Sequence, residues 1–206
     1  MQSVSKALIA LASSLSLSFA ASAIVAPAPG AYQVDPVHSG VTFEVPHLVI
    51  STVEGKFTKF DGKIEIAKEF DKSKVSAVVD IASLDTGVKD RDTHLKSPDF
   101  FDAAKHPEMT FTSTTIHGKP EDFKLTGNLT LKGVTHPVTF DAKYLGTVKD
   151  QYGVEKSAFV AKTKIDRRKF GLVWNKMVEA GPLVGDEITI SLRIEGSEAK
   201  PVAVKN

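Results

Sequence analysis

The chain has 206 residues, of which 42% are hydrophobic and 25% are charged, and it contains no cysteine. Twenty-six Lys and Arg residues stand against 25 Asp and Glu residues. This balance excludes the strong single-sign charge of proteins that bind nucleic acid by bulk electrostatics, so no nucleic-acid partner is expected. The lack of cysteine excludes a disulfide framework, a thiol nucleophile and a thiolate metal site.

Residues 1–23 have the pattern of a cleaved secretory signal peptide. Lys6 supplies a positive start, residues 7–21 are apolar with interspersed serines, and Ala21-Ser22-Ala23 resembles a cleavage site. The serines make this stretch too polar for a membrane span, which needs about 20 predominantly apolar residues. We therefore expect a periplasmic protein whose mature chain, residues 24–206, has no transmembrane segment. It would begin with an extended leader up to Gly30 and end in a polar tail, residues 200–206.

After Gly30 the hydrophobic pattern has mostly a period of two, in short blocks separated by Gly, Pro, Asp and Asn. The clearest block alternates Phe123, Leu125 and Leu129 with Lys124 and Asn128, which predicts a strand with one dry and one wet face. About eight strands are predicted in this way: residues 41–47, 53–66 with a bend near Lys59, 75–81, 109–115, 123–131, 138–144, 158–165 and 187–195.

One region, residues 86–105, breaks this pattern. Val88, Arg91 and Leu95 fall at helical spacing, and Pro98 is typical of the start of a second short helical turn over residues 98–101. Many short strands with one helical insertion favour a barrel or a sandwich. A closed barrel of eight antiparallel strands has no exposed edges, and its interior holds side chains or one small ligand. We therefore predict an all-β fold with a short helical insertion over one end.

Two kinds of chemical site can be weighed from the sequence. Asp35, His38 and Ser39 include an acid, a base and a nucleophile, but neighbours in an extended chain point to alternating faces, and a nucleophile elbow is absent. Hydrolysis is therefore disfavoured and no catalytic residue is predicted. The chain has six histidines without a His-x-x-x-His pair, so no metal ligand is predicted either. A metal- or haem-handling module using His38 and His94 remains the alternative to ligand binding.

The inward faces of the predicted strands and the helical insertion supply the candidate ligand-binding residues. Pattern alone does not separate a filled core from a ligand cavity, although barrel mouths often hold small molecules. The candidates that would form the apolar wall are Phe43, Val45, Phe57, Val79, Leu95, Phe100, Phe101, Phe111, Leu129, Leu131, Phe140 and Phe159.

The order of several motifs resembles the YceI-like family of exported proteins. One of these motifs is Arg91-Asp92-x-His94-Leu95-x-Ser97-x-Asp99-Phe100-Phe101-Asp102. Others, in the family's order, lie in residues 32–47, 55–62, 106–111, 127–138 and 165–172. The resemblance covers nearly the whole mature chain, from residue 32 to residue 195.

This resemblance implies a lipocalin-like barrel with a long apolar cavity. For some members it also implies binding of polyisoprenoid lipids such as prenyl quinones or prenyl pyrophosphates, without enzymatic activity. No cofactor is expected beyond such a bound lipid. The candidates to meet its polar head are His38, Arg91, His94 and Arg167. The competing interpretation pairs Arg91 with Asp92 and Arg167 with Asp166. Residues 173–183 match no family motif and are a predicted place for homodimer contacts.

Overall fold

The computed structural model describes residues 26–179 and 181–199. The predicted signal peptide and the polar tail lie outside these residues. The described part is built mainly from strands: β1 Gly30–Val34, β2 Gly40–His47, β3 Ser51–Phe57, β4 Phe60–Ile66, β5 Lys74–Asp80, β6 Leu84–Asp85, β7 Glu108–Lys119, β8 Asp122–Leu131, β9 Val134–Lys149, β10 Glu155–Asp166, β11 Met177–Val178, β12 Gly181–Pro182 and β13 Glu187–Glu198. One α-helix, α1, spans Lys89–Lys96, and short 3₁₀ helices span Phe70–Lys72, Ile81–Ser83 and Arg167–Phe170.

Eight of these strands close into a ring. Their order is β1-β4-β5-β7-β8-β9-β10-β13, and β13 pairs back with β1, each pair being antiparallel. The predicted eight-stranded antiparallel barrel is therefore confirmed. In each strand the apolar residues of the alternating pattern face the interior, as in β8, where Phe123, Leu125 and Leu129 are buried between exposed neighbours.

The wall is extended at one end because two of its strands are interrupted. β1 and β2 both lie antiparallel to β13, and the chain between them turns at residues 35–39. β3 ends at Phe57 and β4 begins at Phe60, so Thr58 and Lys59 interrupt the strand pattern here. This interruption confirms the predicted bend near Lys59. β2, β3 and β6 thus continue the wall beyond the β1–β4 pairing.

The helical insertion covers this extended end, but it is shorter than predicted. Only Lys89–Lys96 are α-helical, and residues 98–101 form hydrogen-bonded turns, with Phe101 N donating to Leu95 O. The predicted second helical turn is therefore wrong. Ser97 is extended, with φ −72° and ψ 169°. Pro98 explains why α1 ends before Ser97, because the proline ring disfavours helical geometry in the preceding residue.

The opposite end of the barrel, the filled end, holds a hydrogen-bonded polar cluster in which Tyr144 and Ser157 are buried and Thr147 is exposed. Tyr144 Oη lies 2.5 Å from Thr147 Oγ1, which lies 2.6 Å from the fully buried Ser157 Oγ. Tyr32 is also buried, and its hydroxyl donates to Ala28 O of the leader at 2.8 Å. Hydrogen bonds satisfy these polar groups, so they close this end without leaving orphaned atoms. Across the described residues, the helices are all too short or too polar to span a bilayer.

Candidate ligand-binding site

The barrel interior contains three apolar chambers in a row. The central chamber shares Val41, Met109 and Ile190 with the mouth chamber, which lies towards α1. It also shares Ile64 and Leu192 with the inner chamber, which lies towards the filled end. The mouth, central and inner chambers have volumes of about 100, 110 and 70 Å³, respectively. Neighbouring chambers share lining residues, so they lie in one row along the barrel, and we refer to this row as the tunnel.

The twelve predicted wall residues all line this tunnel. Those of the mouth chamber are Phe43, Val45, Phe57, Leu95, Phe100, Phe101 and Leu131. Those of the central chamber are Val79, Phe111, Leu129 and Phe140, and Phe159 lines the inner chamber. The structure therefore brings residues from seven strands and from the insertion to one surface.

The candidate set omitted residues at the two junctions between chambers. Val41, Met109 and Ile190 surround the junction of the mouth and central chambers, and Leu192 and Ile194 border the central and inner ones. The alternation already placed Val41 and the β13 residues on inward faces, so the same signal could have found them. For Met109, at the start of β7, the only sequence signal was that it lies two residues from Phe111 and therefore on the same face of the strand.

Two glycines set the width of the tunnel. The tip of the Phe43 ring lies over Gly55, so that a Cβ built on this glycine would stand 2.3 Å from Phe43 Cζ. Phe111 lies against Gly127 in the same way, at 2.4 Å. Real Cβ atoms do not approach so closely, so only glycine allows each ring to lie against the wall.

The tunnel opens into an antechamber between α1 and the ends of β2 and β3. This space has a volume of about 340 Å³ and is lined by apolar side chains together with His47, Asp90, Arg91, His94 and Trp174. The Trp174 ring lies 4.9 Å from the His94 ring and 5.1 Å from the Phe100 ring, centre to centre. Trp174 belongs to the segment for which no motif was found, so the sequence offered no signal for its position at the mouth.

Arg91 is held at the rim of the antechamber by one residue. Its Nε donates to Thr86 Oγ1 at 2.7 Å, and its Nη2 donates to Thr86 O at 2.8 Å. Thr86 N in turn donates to Asp92 Oδ1, so Asp92 supports the arginine through Thr86 instead of pairing with it. The expected Arg91–Asp92 ion pair is therefore wrong. Across residues 26–179 and 181–199, Arg91 makes no ion pair.

His94 stands beside Arg91 on α1 and is turned towards an acid. Its Nε2 lies 2.8 Å from Asp99 Oδ2, in the turn that follows the helix. Its ring is perpendicular to both Phe100 and Trp174. His94 therefore joins the helix to the aromatic residues that surround the mouth.

Arg167 lines the mouth chamber but uses all its donors on the protein. Its five N–H groups donate to the carbonyls of Gly185, Leu172, Trp174 and Val184 and to the carboxylate of Asp186. Its side chain is only 4% exposed, and burial lowers the pKa of the guanidinium. The expected pairing with Asp166 is wrong, because Asp166 pairs with Arg168. Arg167 ties together the chain segments on both sides of the β11–β12 hairpin.

His38 lies on the outer wall, where β1 turns into β2. Its Nδ1 is 3.0 Å from Asp35 Oδ2, and this hydrogen bond raises the pKa of His38 and lowers that of Asp35 to about 2. Lys156 Nζ lies 3.3 Å from Asp35 Oδ2 and 3.6 Å from Glu195 Oε1. The ligand atoms of Asp35, His38 and Glu195 are close enough for a metal ion, but Lys156 already forms ion pairs with both carboxylates. This cluster is an ion-pair network that joins β1, β10 and β13.

The hydrolase and metal alternatives find little support in this geometry. Ser39 Oγ donates to Glu195 O and accepts from Glu195 N, so it is engaged by backbone, while the His38 ring turns to Asp35. A nucleophile and its base would need a hydrogen bond to each other. His38 is on the outer wall and His94 at the mouth, so the two histidines of the metal alternative serve separate parts of the barrel.

Comparison with known proteins agrees with this architecture. The family model described as the YceI-like domain matches residues 32–196. Protein YceI of Escherichia coli O17:K52:H18 is 37% identical over 188 residues, which cover 90% of this chain and 94% of that protein. The crystal structure of BcnA from Burkholderia cenocepacia superposes with a TM-score of 0.70 at 24% identity, covering 79% of this chain and 98% of BcnA. A Saccharophagus degradans structure described as a polyisoprenoid binding domain superposes with a TM-score of 0.58 at 16% identity, covering 82% and 98%.

Proposed function

Because this chain belongs to the YceI-like domain family, we propose that it binds an elongated polyisoprenoid lipid in the barrel tunnel. The observation that carries the proposal is the row of three apolar chambers with an antechamber at one end. The description of the Saccharophagus degradans domain as polyisoprenoid-binding supports the same class of ligand. The proposed ligands are a prenyl quinone or a prenyl pyrophosphate, bound for transport or storage.

The tunnel has the length and chemistry for such a chain. The β13 residues that line the chambers run from Ile188 to Ile194, about 20 Å along the strand or about 15 Å along the axis at the usual barrel tilt. Each buried methylene contributes about 0.8 kcal/mol, so an isoprenoid chain of several units can bind tightly by desolvation and dispersion. This mode of binding needs no catalytic residue and no cofactor.

The polar head of the ligand would lie in the antechamber. Of the four head-group candidates, only Arg91 and His94 line this space, and the Arg91 guanidinium has N–H groups left after its two bonds to Thr86. A pyrophosphate would accept from these groups, because arginine suits phosphate oxygens. Replacement R91M should then weaken binding of a prenyl pyrophosphate about tenfold and leave binding of a prenyl quinone unchanged. An equal loss for both ligands would contradict the assigned role.

The place of action that we propose is the periplasm. The support is the signal-peptide pattern of residues 1–23, with its single positive residue Lys6, apolar centre and small residues at 21–23. N-terminal sequencing of the protein recovered from a periplasmic extract tests this proposal. A mature chain that begins near residue 24 is expected, and an uncleaved chain in the cytoplasm would contradict it.

Two neighbouring valines give the sharpest test of the tunnel itself. Val79 is buried and lines the central chamber, whereas Val78 follows the opposite face of β5 and is 39% exposed. Replacement V79F would fill the chamber, and V78F adds the same side chain outside. Extraction of each purified protein with organic solvent, followed by mass spectrometry, should find prenyl lipid in the wild type and V78F but little in V79F. Wild-type protein without lipid, and without uptake of a prenyl probe in solution, would overturn the proposed function.

A further inference from the structure

Two chain tips beside the antechamber expose large apolar side chains. In the turn between β2 and β3, Val49 is 72% exposed and Ile50 is 87% exposed. In the β11–β12 hairpin, Met177 is 70% exposed and Val178 is 36% exposed. We refer to these four residues as the apolar rim. Isolated exposed apolar residues are ordinary, but a cluster at the opening of a cavity marks a place of interaction.

The two tips form one continuous surface. Leu48 N donates to Leu183 O at 3.1 Å, and His47 pairs with Val184. A Cβ built on Gly181 would stand 3.8 Å from Val49 Cγ2, which is ordinary contact. His47, Leu183 and Val184 also line the antechamber. The apolar rim therefore borders the opening through which the tunnel meets solvent.

The β2–β3 turn exposes these side chains at the expense of backbone strain. Leu48 and Val49 have φ values of 53° and 65°, and Ile50 N donates back to His47 O at 3.3 Å. Positive φ at both central positions is the pattern of a type I′ turn, which normally contains Asn and Gly. A β-branched residue such as Val49 is a marked outlier there. Asn or Gly would relieve the backbone strain at Leu48 and Val49. That these apolar residues stand there instead points to a role for their side chains.

The charges around the rim limit the kind of partner. Lys176 precedes Met177, and Glu179 follows Val178, and both are exposed. One positive and one negative charge give the rim no net sign, so a strongly acidic or basic partner has nothing to recognise. Apolar tips flanked by balanced charges instead suit the interface of a phospholipid bilayer, where such side chains are buried among acyl chains.

We propose that the apolar rim inserts into a phospholipid bilayer and brings the tunnel mouth to the lipid that it exchanges. This inference rests on the proposed function for its purpose, since a membrane is where an isoprenoid ligand resides. Insertion through apolar side chains predicts weak dependence on salt and on the fraction of anionic lipid. It also orients the barrel with α1 and the antechamber against the membrane and with the filled end outward.

The test uses a pair of matched variants of the mature protein. V49G/I50T removes two rim side chains and gives the turn a residue that adopts positive φ freely, so the melting temperature should stay equal or rise. V148T/Y152S removes exposed apolar side chains, 69% and 82% exposed, from the opposite end of the barrel. Flotation with vesicles of phosphatidylethanolamine and phosphatidylglycerol at 3:1 should show at least about tenfold weaker partition for V49G/I50T alone.

Transfer of a fluorescent prenyl probe between two vesicle populations gives the second readout. V49G/I50T should transfer the probe several-fold more slowly, while V148T/Y152S should match the wild type. Both variants should bind the probe in solution with unchanged affinity. Unchanged flotation and transfer for V49G/I50T would overturn the membrane inference, as would a stable dimer in solution that buries the rim. The proposed function is tested separately, by binding of the probe to the wild-type protein without vesicles. If the wild type binds no probe in that assay, the proposed function fails whatever the flotation result.

Discussion

Replacement of Arg167 by lysine should destabilise the fold without a direct effect on the ligand. The guanidinium supplies five N–H donors to buried and partly buried acceptors, whereas a lysine ammonium has three donors on a differently shaped head. At least two acceptors therefore lose their donor, and each such loss in a buried site costs about 1–3 kcal/mol. The expected loss is about 2–6 kcal/mol, a large part of the 5–15 kcal/mol that usually stabilises a domain.

Urea unfolding followed by circular dichroism measures this loss directly. The midpoint should fall at an unchanged slope, and the melting temperature should drop by at least about 4 °C, taking about 2 °C per kcal/mol for a chain of this size. The matched control is R168K, because Arg168 is half exposed and bridges Asp166 and Asp186, and its midpoint should stay near that of the wild type. A stable R167K protein that has lost affinity for an anionic prenyl lipid would refute this reasoning. It would return Arg167 to the role of a head-group ligand.

Two further predictions concern the outer wall and the width of the tunnel. Asp35 raises the pKa of His38 in the folded state, so this pair stabilises the fold fully below the unfolded histidine's pKa of about 6.5 and loses that effect as pH rises through the raised value. H38Q should therefore lower the melting temperature at pH 5–6 more than at a pH above the raised pKa of His38. An equal change at both pH values would count against the pair. G55A should displace the Phe43 ring towards the lumen and slow uptake of a prenyl probe, and the second substitution F43L should restore it. Unaltered uptake kinetics in G55A would show that the Phe43 ring does not determine the width of the tunnel.

Much of the barrel could be read from the sequence because its strands bury one face each. Alternation in β8, with Phe123, Leu125 and Leu129 inward, directly encodes which side chains meet the interior. The same signal located the wall of the tunnel, since interior and wall are one surface in a barrel. The bend near Lys59 was also readable, because Phe57 and Phe60 have different parity.

The mouth could not be read in this way because its contacts are not periodic. Trp174 reaches His94 across about eighty positions of chain, through a segment with no regular pattern. Arg167 and Arg91 looked equivalent in sequence, each being next to an aspartate. Only the fold shows that Arg167 is enclosed by carbonyls, whereas Arg91 faces the antechamber. Whether these side chains touch a ligand stays a prediction.

The filled end of the barrel limits how the proposed ligand could enter and leave the tunnel. Tyr32, Tyr144 and Ser157 are buried across that end, so the proposed ligand would both enter and leave through the mouth. The tail of a threaded chain is then the first part in and the last part out, and its head group is always the part presented to the surroundings. If the proposed lipid is transferred in this way, an acceptor would contact the head group before the tail has left the tunnel, and the tail would not be fully exposed to water during the transfer.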